Sequence, residues 1–550
     1  MQARMKNRYT LFRTMLATLL LAAVACETEP AEVLQPEADY AQITLSSHAS
    51  TIGEQGGSKS LFIATNRSEV NLYCEQDWID ISLDGNCLTL FADENLTGES
   101  RLAVVDVVAG REPDVAKARY KLLQTTQGVI DLSEDGTANC YIAPTGATYR
   151  FRADVRGNAK RDGQSRYTAT YGVEIEGGAY ADLVWEATFD GDKTRSCQIL
   201  EQQPIYSADE EMIYFTTGEY EGNALLSLCD QAGRVLWSWH IWVSNAPVST
   251  ASAEGLEWMD RNLGALCNTP GEVSNRGLLY QWGRKEPFLP SPAAYLEVPT
   301  HTYDEEYNLL ESEEEYQAIQ AEIEALRPLL NLVNEQRGDG SHAWNYLGVA
   351  PVALNAPGNI DYALQHPTTF LGCRTDIPIG EYVFDWYLQQ DLEGRNGVMM
   401  QSESLLWGTG LAGSDYKTIF DPCPVGYVVP PCGAFGEIPD EFACLYVNRD
   451  WEAESYGWRW SGGNGDHFPS VGNLDVSGLM GETAERMLYW TAEPFGGASA
   501  GFGKAATLFV AYNEVFYGIY PLLDETIAGS WYSYGARCYG ASIRCVKEQQ

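Results

Sequence analysis

Apolar and polar residues alternate in short runs along the first part of the chain. The runs at residues 43–45, 88–91 and 101–108 follow a period of two, and turns that contain Gly or Asn separate them. Because successive side chains of a strand point to opposite faces of a sheet, this pattern predicts strands with one buried face. Short strands at this spacing predict a β-sandwich over residues 39–126.

A second β-rich segment covers residues 127–250 and predicts another sandwich, again Ig-like. Its most apolar run is 235–243, where one face of the predicted strand carries Trp237, Trp239, Ile241 and Val243. His240 falls on the opposite face. We interpret this run as a core strand, so we expect His240 to be a packed strand residue rather than a metal ligand or a catalytic base.

Residues 251–550 form a third segment, which is richer in Gly and aromatic residues and contains one helical pattern at residues 304–337. Ser312 and Glu315 form a capping-box signature there, and the apolar residues that follow recur every three or four positions. Pro328 kinks or ends a helix at that point. We expect a solvated helix packed on the domain, and a helix that binds a partner is the alternative.

The N-terminus has the layout of an export signal. Residues 1–25 contain four basic side chains and end in an apolar run of 12 residues, shorter than the roughly 20 that span a bilayer. The sequence Ala-Val-Ala-Cys at residues 23–26 resembles the lipobox of bacterial lipoproteins. This resemblance implies that a lipid on Cys26 anchors the chain in a membrane. An ordinary secretory peptide cleaved near Ala25 is the alternative.

Residues 26–38 are acidic and contain Pro, and we expect them to form a tether. Acidic residues directly after the lipidated Cys resemble the surface-export signal of Bacteroidota lipoproteins, which implies the outer face of the outer membrane. The whole chain has a formal net charge of −40. Such a charge repels nucleic acid and anionic membranes, and it suits solubility, cation association, or neutral partners such as glycans and proteins. We therefore expect no nucleic-acid partner.

Catalytic and metal-binding patterns are sparse in the sequence. Six His residues occur without an HExxH pattern, and there is no P-loop, dinucleotide fingerprint or G-x-S-x-G elbow. Besides Cys26, twelve cysteines are scattered without a CxxC pair, which argues against a zinc site. Acidic loops at residues 190–192 and 462–467 contain oxygen ligands of the kind calcium uses, but we favour solvated turns. We predict no cofactor and no metal site.

Three short segments of the first sandwich resemble the BACON domain of Bacteroidota surface proteins. They are residues 77–79 (Asp-Trp-Ile), 95–101 (Asn-Leu-Thr-Gly-Glu-Ser-Arg) and 122–125 (Leu-Leu-Gln-Thr). The resemblance implies that Trp78 precedes a strand and that the Gln-containing strand ends the sandwich. The family is often called carbohydrate-binding, although many members look like spacers. Trp78 is therefore either a sugar platform or, as we favour, a core or hinge aromatic.

Four ordered segments of the third part resemble the Fibrobacter succinogenes major paralogous domain, namely residues 258–265, 277–285, 421–430 and 542–546. The resemblance implies a mixed α+β fold for residues 251–550, akin to C-type-lectin-like proteins and formylglycine-generating enzymes.

Formylglycine-generating enzymes use two nearby cysteines late in the domain. Cys538 and Cys545 are late in this chain, but their C-x6-C spacing is wider, so we interpret both as structural. A bridge between Cys423 and Cys545 is one pairing that an oxidising compartment allows, and the sequence leaves the connectivity open.

Aromatic side chains offer the strongest argument for binding, because Tyr and Trp present an apolar ring and a polar tip, as sugars require. We select Trp458, Trp460 and Tyr532 of the third segment, together with Trp78, as candidate ligand-binding residues. The leading hypothesis is a non-enzymatic surface lipoprotein that binds glycans or partner proteins. A structural or tip subunit of a fimbria-like assembly is the second hypothesis, and a Cys-dependent or hydrolytic enzyme is the third.

Overall fold

The structure is a computed structural model, and most of the elements that it describes are strands. The prediction of a mainly β chain is therefore confirmed. No helix in the described part of the chain is both long and apolar enough to cross a membrane. The described residues are 40–126, 128–159, 171–189, 194–195, 199–244, 249–251, 256–270, 272–290, 312, 314–315, 317–318, 332–336, 342–346, 348–351, 359–372, 386, 406–408, 417–431, 434, 457–459, 467–469, 471–474, 478, 480–481, 486–494, 504–511 and 530–549.

The first unit consists of two four-stranded sheets, with strand orders β1-β3-β6-β5 and β2-β8-β7-β4. Its core lies between the sheets and contains one side chain of each alternating pair, among them Leu61, Leu88, Val105 and Leu122. Burial of each Leu or Val side chain stabilises the fold by about 1.5–3 kcal/mol. The alternation of apolar and polar residues therefore determines which face of each sheet is buried and which is exposed. The strands are β1 (Ile43–Leu45), β2 (Ala49–Ile52), β3 (Gly57–Thr65), β4 (Val70–Cys74), β5 (Ile79–Asp84), β6 (Cys87–Ala92), β7 (Arg101–Arg111) and β8 (Asp114–Gln124).

The second unit also has two sheets, with strand orders β10-β17-β16-β12-β13 and β14-β15-β11-β9. Its strands are β9 (Ile130–Asp131), β10 (Cys140–Ala143), β11 (Thr148–Arg152), β12 (Tyr180–Phe189), β13 (Thr194–Arg195), β14 (Ile205–Ser207), β15 (Met212–Thr216), β16 (Gly222–Cys229) and β17 (Val235–Val243).

Strand β17 has the bounds that the apolar run predicts, and it is buried on both faces from Trp237 onward. His240 is packed inside, with Nε2 2.8 Å from Asn223 Oδ1, and burial lowers its pKa to about 3. The prediction that His240 is a packed strand residue is confirmed.

The third unit contains a seven-stranded sheet, in which β20 pairs with β33 beside the order β29-β28-β33-β30-β31-β32. It also contains a four-stranded sheet, β18-β19-β34-β25, and three two-stranded ones. Its elements are β18 (Ser249–Ala251), β19 (Glu257–Met259), a 3₁₀ turn (Val273–Asn275), β20 (Leu279–Gln281), β21 (Leu332–Gln336), β22 (His342–Tyr346), β23 (Gly348–Pro351), α1 (Asn359–Gln365), β24 (Thr369–Gly372), β25 (Tyr427–Val428), β26 (Gly457–Arg459), β27 (His467–Pro469), β28 (Asn473–Leu474), β29 (Met480–Gly481), β30 (Arg486–Pro494), β31 (Lys504–Ala511), β32 (Ser530–Ala536), β33 (Gly540–Ser542) and β34 (Val546–Lys547).

The helical pattern predicted for residues 304–337 needs one correction. The capping box is present, because the backbone N–H and hydroxyl of Ser312 donate to Glu315 Oε2 at 2.9 and 2.8 Å. The backbone N–H of Glu315 donates back to the Ser312 hydroxyl at 3.3 Å. However, Leu332–Gln336 is strand β21 and pairs with β22, so the predicted extension of the helix to residue 337 is wrong. Pro328, at which the sequence predicts that the helix kinks or ends, lies outside the described residues. Pairing with β22 gives Leu332–Gln336 its extended conformation.

The second and third units share one apolar core, which includes Trp237 and Trp239 of β17 together with Trp282. Asn139 links the two units through its amide, whose Nδ2 donates to the carbonyls of Ile419 and Asp421 at 2.7 and 2.8 Å. Residue 250 therefore divides the sequence but does not divide the core. A cut there would expose apolar surface from both units.

The first unit contacts the second through a small apolar cluster and a few polar contacts. The apolar cluster contains Ala49, Leu123, Ile205 and Tyr214. Beside it, Lys59 Nζ lies 2.9 Å from Asp209 Oδ2.

Cys423 and Cys545 form a disulfide, which is one of the pairings that the sequence left open. Cys538 is a fully buried thiol that is not disulfide-bonded. The bridge joins the loop that precedes β25 to the residue that precedes β34, so it reinforces the pairing of those two strands.

Candidate functional site

The outer face of strands β4, β7 and β8 in the first unit forms a concave surface site. We call it the Tyr73 face and define it by Tyr73, Asn71, Asp106, Lys117 and Arg119. These residues alternate with core residues along their strands, so the period of two that buries one face directs them outward.

Strand register arranges these side chains in two rows. In one row Tyr73 lies opposite Asp106, which lies opposite Arg119. In the next row Asn71 lies opposite Val108, which lies opposite Lys117. Directly opposed residues in antiparallel strands have Cβ atoms about 4.5–5.5 Å apart, so the members of each row are neighbours.

Two ion pairs, one on the Tyr73 face and one at its end, orient four charged side chains. Arg119 donates from Nε and Nη2 to the two carboxylate oxygens of Asp106 at 2.7 and 3.3 Å. These hydrogen bonds lower the pKa of Asp106 below its ordinary value. At the end of the face nearer the β7–β8 turn, Arg111 pairs with Glu69. The pairs contribute little stability at this exposure, but they orient donors and acceptors before any ligand arrives.

The face is concave and encloses about 740 Å³. Tyr73 is 58% exposed at this concavity, and polar side chains stand on the neighbouring strands. A ligand that fits this arrangement has an apolar flat surface for the ring of Tyr73 and several hydroxyl or charged groups for the surrounding donors and acceptors. Saccharides have both properties.

Trp78 takes part in a different arrangement, at the end of the first unit from which the chain continues into the second. The guanidinium carbon of Arg101 lies 4.2 Å from the centroid of the Trp78 ring. Arg101 Nε also donates to Gln124 Oε1 at 2.9 Å, and Gln124 Nε2 donates to the carbonyl of Asp93 at 2.7 Å. The three segments that resemble the BACON domain therefore meet at one place. Because Arg101 covers one face of the indole, this geometry favours the structural role of Trp78.

The other selected residues lie in separate parts of the chain. Trp458 is in β26, which pairs with β27, and Tyr532 is in β32 of the seven-stranded sheet. Cys26, Trp460 and the acidic loop 190–192 lie outside the described residues, as do residues 462–466 of the second acidic loop. The ligand-binding roles of Trp78, Trp458, Trp460 and Tyr532 stay predictions.

The Tyr73 face was not predicted from the sequence. Its signal was present in each strand, because Asn71 and Tyr73 occupy polar positions of β4, as Lys117 and Arg119 do in β8. An exposed Tyr at such a position is a candidate binding residue, but the three strands had to be aligned before the rows became visible. No group of three or more His, Cys, Asp or Glu residues suited to a metal ion occurs within the described ranges.

No family model matches the chain, and no curated protein matches it. Parts of the chain are similar to solved structures. An NMR structure of a protein from Bacteroides thetaiotaomicron has 19% identity and a TM-score of 0.13, over 18% of this chain and 96% of that one. Tandem Ig domains of titin have 12% identity and a TM-score of 0.13, over 37% and 97%. The SGBP-B protein of a Bacteroides ovatus mixed-linkage glucan utilization locus, solved with a mixed-linkage heptasaccharide, has 14% identity and a TM-score of 0.16, over 45% and 57%. These likenesses are partial, and the function has to be inferred from the chain's own residues.

Proposed function

We propose that this chain is a non-enzymatic binding protein and that the Tyr73 face is a saccharide-binding site. The observation that carries the proposal is the half-exposed Tyr73 ring beside two rows of polar side chains in a concave sheet face. Stacking of the ring on a sugar face supplies apolar contact, and the flanking donors and acceptors select the orientation of the hydroxyl groups.

The rigidity of the platform supports this proposal. Tyr73 is the fourth of five consecutive residues of β4 that pair with β7, and β7 is paired along its whole length with β8. The Arg119–Asp106 pair adds two further hydrogen bonds across the face. A site that is ordered before binding loses less conformational entropy when a ligand arrives.

The sequence adds the location to the proposal. A lipid on Cys26 would anchor the chain in the outer membrane with the described units on the cell surface, and residues 26–38 would be the tether. The first unit would be a BACON-like sandwich, and residues 251–550 would be a C-type-lectin-like domain. Trp458, Trp460 and Tyr532 would belong to a second ligand site in that domain, for a glycan or a partner protein.

A glycan array probed with the full chain tests the proposal. We expect binding to at least one class of glycan and a loss of that binding in Tyr73→Ala. Phe62→Ala is the matched control, because Phe62 is a comparably exposed aromatic residue (66%) on the opposite sheet of the same sandwich. Absence of binding to every glycan by the unmodified chain, or equal binding by both variants, would refute the assignment to the Tyr73 face. Capture of a protein ligand by a Tyr73-dependent contact would replace the saccharide with a protein partner.

A further inference from the structure

We infer that the ligand of the Tyr73 face carries an anionic group and that Lys117 binds it. This inference rests on the proposed saccharide-binding function and deepens it by naming the chemical class of the saccharide.

Lys117 differs from the other cations of the face in its pairing. Arg119 is paired with Asp106, and Arg111 is paired with Glu69. Lys117 is exposed and makes no hydrogen bond or ion pair within the described part of the chain. The two Arg side chains are therefore already paired, whereas the Lys117 ammonium has an electrostatic interaction with Asp106 but no direct hydrogen bond to a carboxylate among the described residues.

The position of Lys117 makes that charge useful to a ligand. Lys117 lies opposite Val108, and Asn71 lies on the other side of Val108. This row is two residues along the strands, or about 7 Å, from the row that contains Tyr73. A sugar ring stacked on Tyr73 can therefore place a substituent over Val108, between the ammonium of Lys117 and the amide of Asn71.

Asp106 interacts electrostatically with Lys117, but both of its carboxylate oxygens already accept hydrogen bonds from Arg119. Glu112 also lines the concavity, but it is in the turn that joins β7 to β8. Lys117 lies three residues along β8 from Asp114, the first residue after the turn that pairs with β7. Three positions correspond to about 10 Å along the strands. At that distance in water the attraction is largely screened by salt.

Charge is distributed unevenly within the first unit. Three of its basic residues, namely Arg111, Lys117 and Arg119, line the Tyr73 face. The outer face of the other sheet carries Asp80 and Asp84, and no basic residue points outward from its described strands. The concavity is also lined by three acidic residues, Glu69, Asp106 and Glu112, so its acidic and basic residues balance. On a chain of net charge −40, such a face repels an anion less than the outer face of the other sheet does.

The chemistry selects a saccharide with a carboxylate, as in a uronic acid, or with a sulfate ester. Either group accepts a charge-assisted hydrogen bond from the Lys117 ammonium. Such a bond contributes about 1.5–3 kcal/mol, which corresponds to a change in affinity of roughly ten- to a hundredfold.

Affinity measurements on the full chain test the inference with three probes: polygalacturonate, dextran sulfate and neutral dextran. We expect the unmodified chain to bind one anionic probe more tightly than dextran. Lys117→Gln should weaken that binding at least roughly tenfold, and Lys117→Arg should retain most of it. Lys547→Gln is the matched control, because it removes the same charge from an exposed position in the third unit. Its affinity should not change.

The outcomes separate the inference from the proposed function. If dextran or another neutral glycan binds through Tyr73 and Lys117→Gln has no effect, the anionic class is wrong while the saccharide site stands. If neither anionic nor neutral glycans bind the unmodified chain, both are wrong. A preference for polygalacturonate over dextran sulfate, or the reverse, identifies the anionic group.

Discussion

Lys285 and Ser238 meet across the boundary between the second and third units. The Lys285 ammonium donates to the hydroxyl of Ser238 at 2.7 Å and to its carbonyl at 3.0 Å. It also lies 2.6 Å from Glu286 Oε1 and 4.3 Å from the centroid of the Trp237 ring. All four residues are buried. A buried charge without a partner is costly, so the Lys285 ammonium has to stay in contact with these groups. The cluster therefore fixes the position of the third unit against strand β17.

Replacement of Lys285 with Met should weaken the interface between the second and third units. The substitution leaves the Glu286 carboxylate buried with Arg284 as a remaining cation, 3.3 Å away. Removal of one partner from a buried ion pair costs about 3–5 kcal/mol, and we expect a loss of unfolding free energy in that range. Chemical denaturation followed by Trp fluorescence measures it, since the buried Trp residues belong to the shared core.

A surface ion pair provides the control for this variant. Lys59 pairs with Asp209 at 2.9 Å, and the two side chains are 31% and 72% exposed. Lys59→Met should therefore change the unfolding free energy by less than about 1 kcal/mol. Equal losses in Lys285→Met and Lys59→Met would show that the buried cluster is not what joins the units.

Glu186 should make stability fall as pH rises. Burial raises its pKa from 4.5 to about 7. Oε2 accepts a hydrogen bond from the backbone N–H of Leu200 at 2.9 Å, and Oε1 has no partner among the described residues. The folded chain holds this proton more tightly than the unfolded chain. The stability it contributes is therefore complete below pH 4.5 and is lost as pH rises through about 7.

Glu186→Gln keeps the side chain neutral at every pH, so the variant should gain stability relative to the unmodified chain as pH rises. Each unit of pKa difference corresponds to about 1.4 kcal/mol. Thermal midpoints of both chains, measured at about pH 4, 6 and 8, check the prediction across this window. Glu94→Gln, which removes an exposed carboxylate, is the control. A difference between the Glu186→Gln and unmodified midpoints that does not change with pH would contradict the assignment.

Local patterns predicted the local structure well. The strand Val235–Val243 was predicted because a continuous apolar run has few alternatives, and the capping box was predicted because Ser312 and Glu315 are three residues apart. The Tyr73 face could not be predicted in the same way. Tyr73, Asp106 and Arg119 come from three strands, and their alignment depends on sheet register, which the sequence does not specify by itself.

The burial of Lys285 could not be predicted from the sequence either, because it too depends on contacts between distant parts of the chain. Lys285 belongs to a polar-looking segment after β20, and its burial depends on a strand of another unit. From sequence, a Lys is expected at the surface, since few are fully buried without a partner. The partners here are the adjacent Glu286 and Ser238, and Ser238 lies 47 residues earlier in the chain.

Gln124→Leu should loosen the loop at residues 93–100. The Gln124 amide accepts a hydrogen bond from Arg101 and donates to the carbonyls of Gly53, Glu54 and Asp93. Leu has a similar volume but removes these hydrogen bonds from part-buried groups, which should cost about 1–3 kcal/mol. Hydrogen exchange of residues 93–100 should become faster. Gln42→Leu, at an exposed position of the same sandwich, should leave the exchange unchanged, and protection that survives in Gln124→Leu would refute the proposed support.

Peptide mapping should recover Cys423 and Cys545 in one linked pair. If the chain is denatured and alkylated without reductant, the peptides that contain these two residues should stay joined until a reductant is added, whereas Cys538 should be alkylated. The two residues are 122 positions apart, and closing a loop of this length in the unfolded chain corresponds to about 4–5 kcal/mol in the chain-entropy model. The double variant Cys423→Ala/Cys545→Ala should therefore lose stability in the third unit, while Cys538→Ala should lose less, because it removes a thiol and no cross-link. A linkage between Cys538 and Cys545 would contradict this pairing. It would instead favour the arrangement of formylglycine-generating enzymes, which have two nearby cysteines late in the domain.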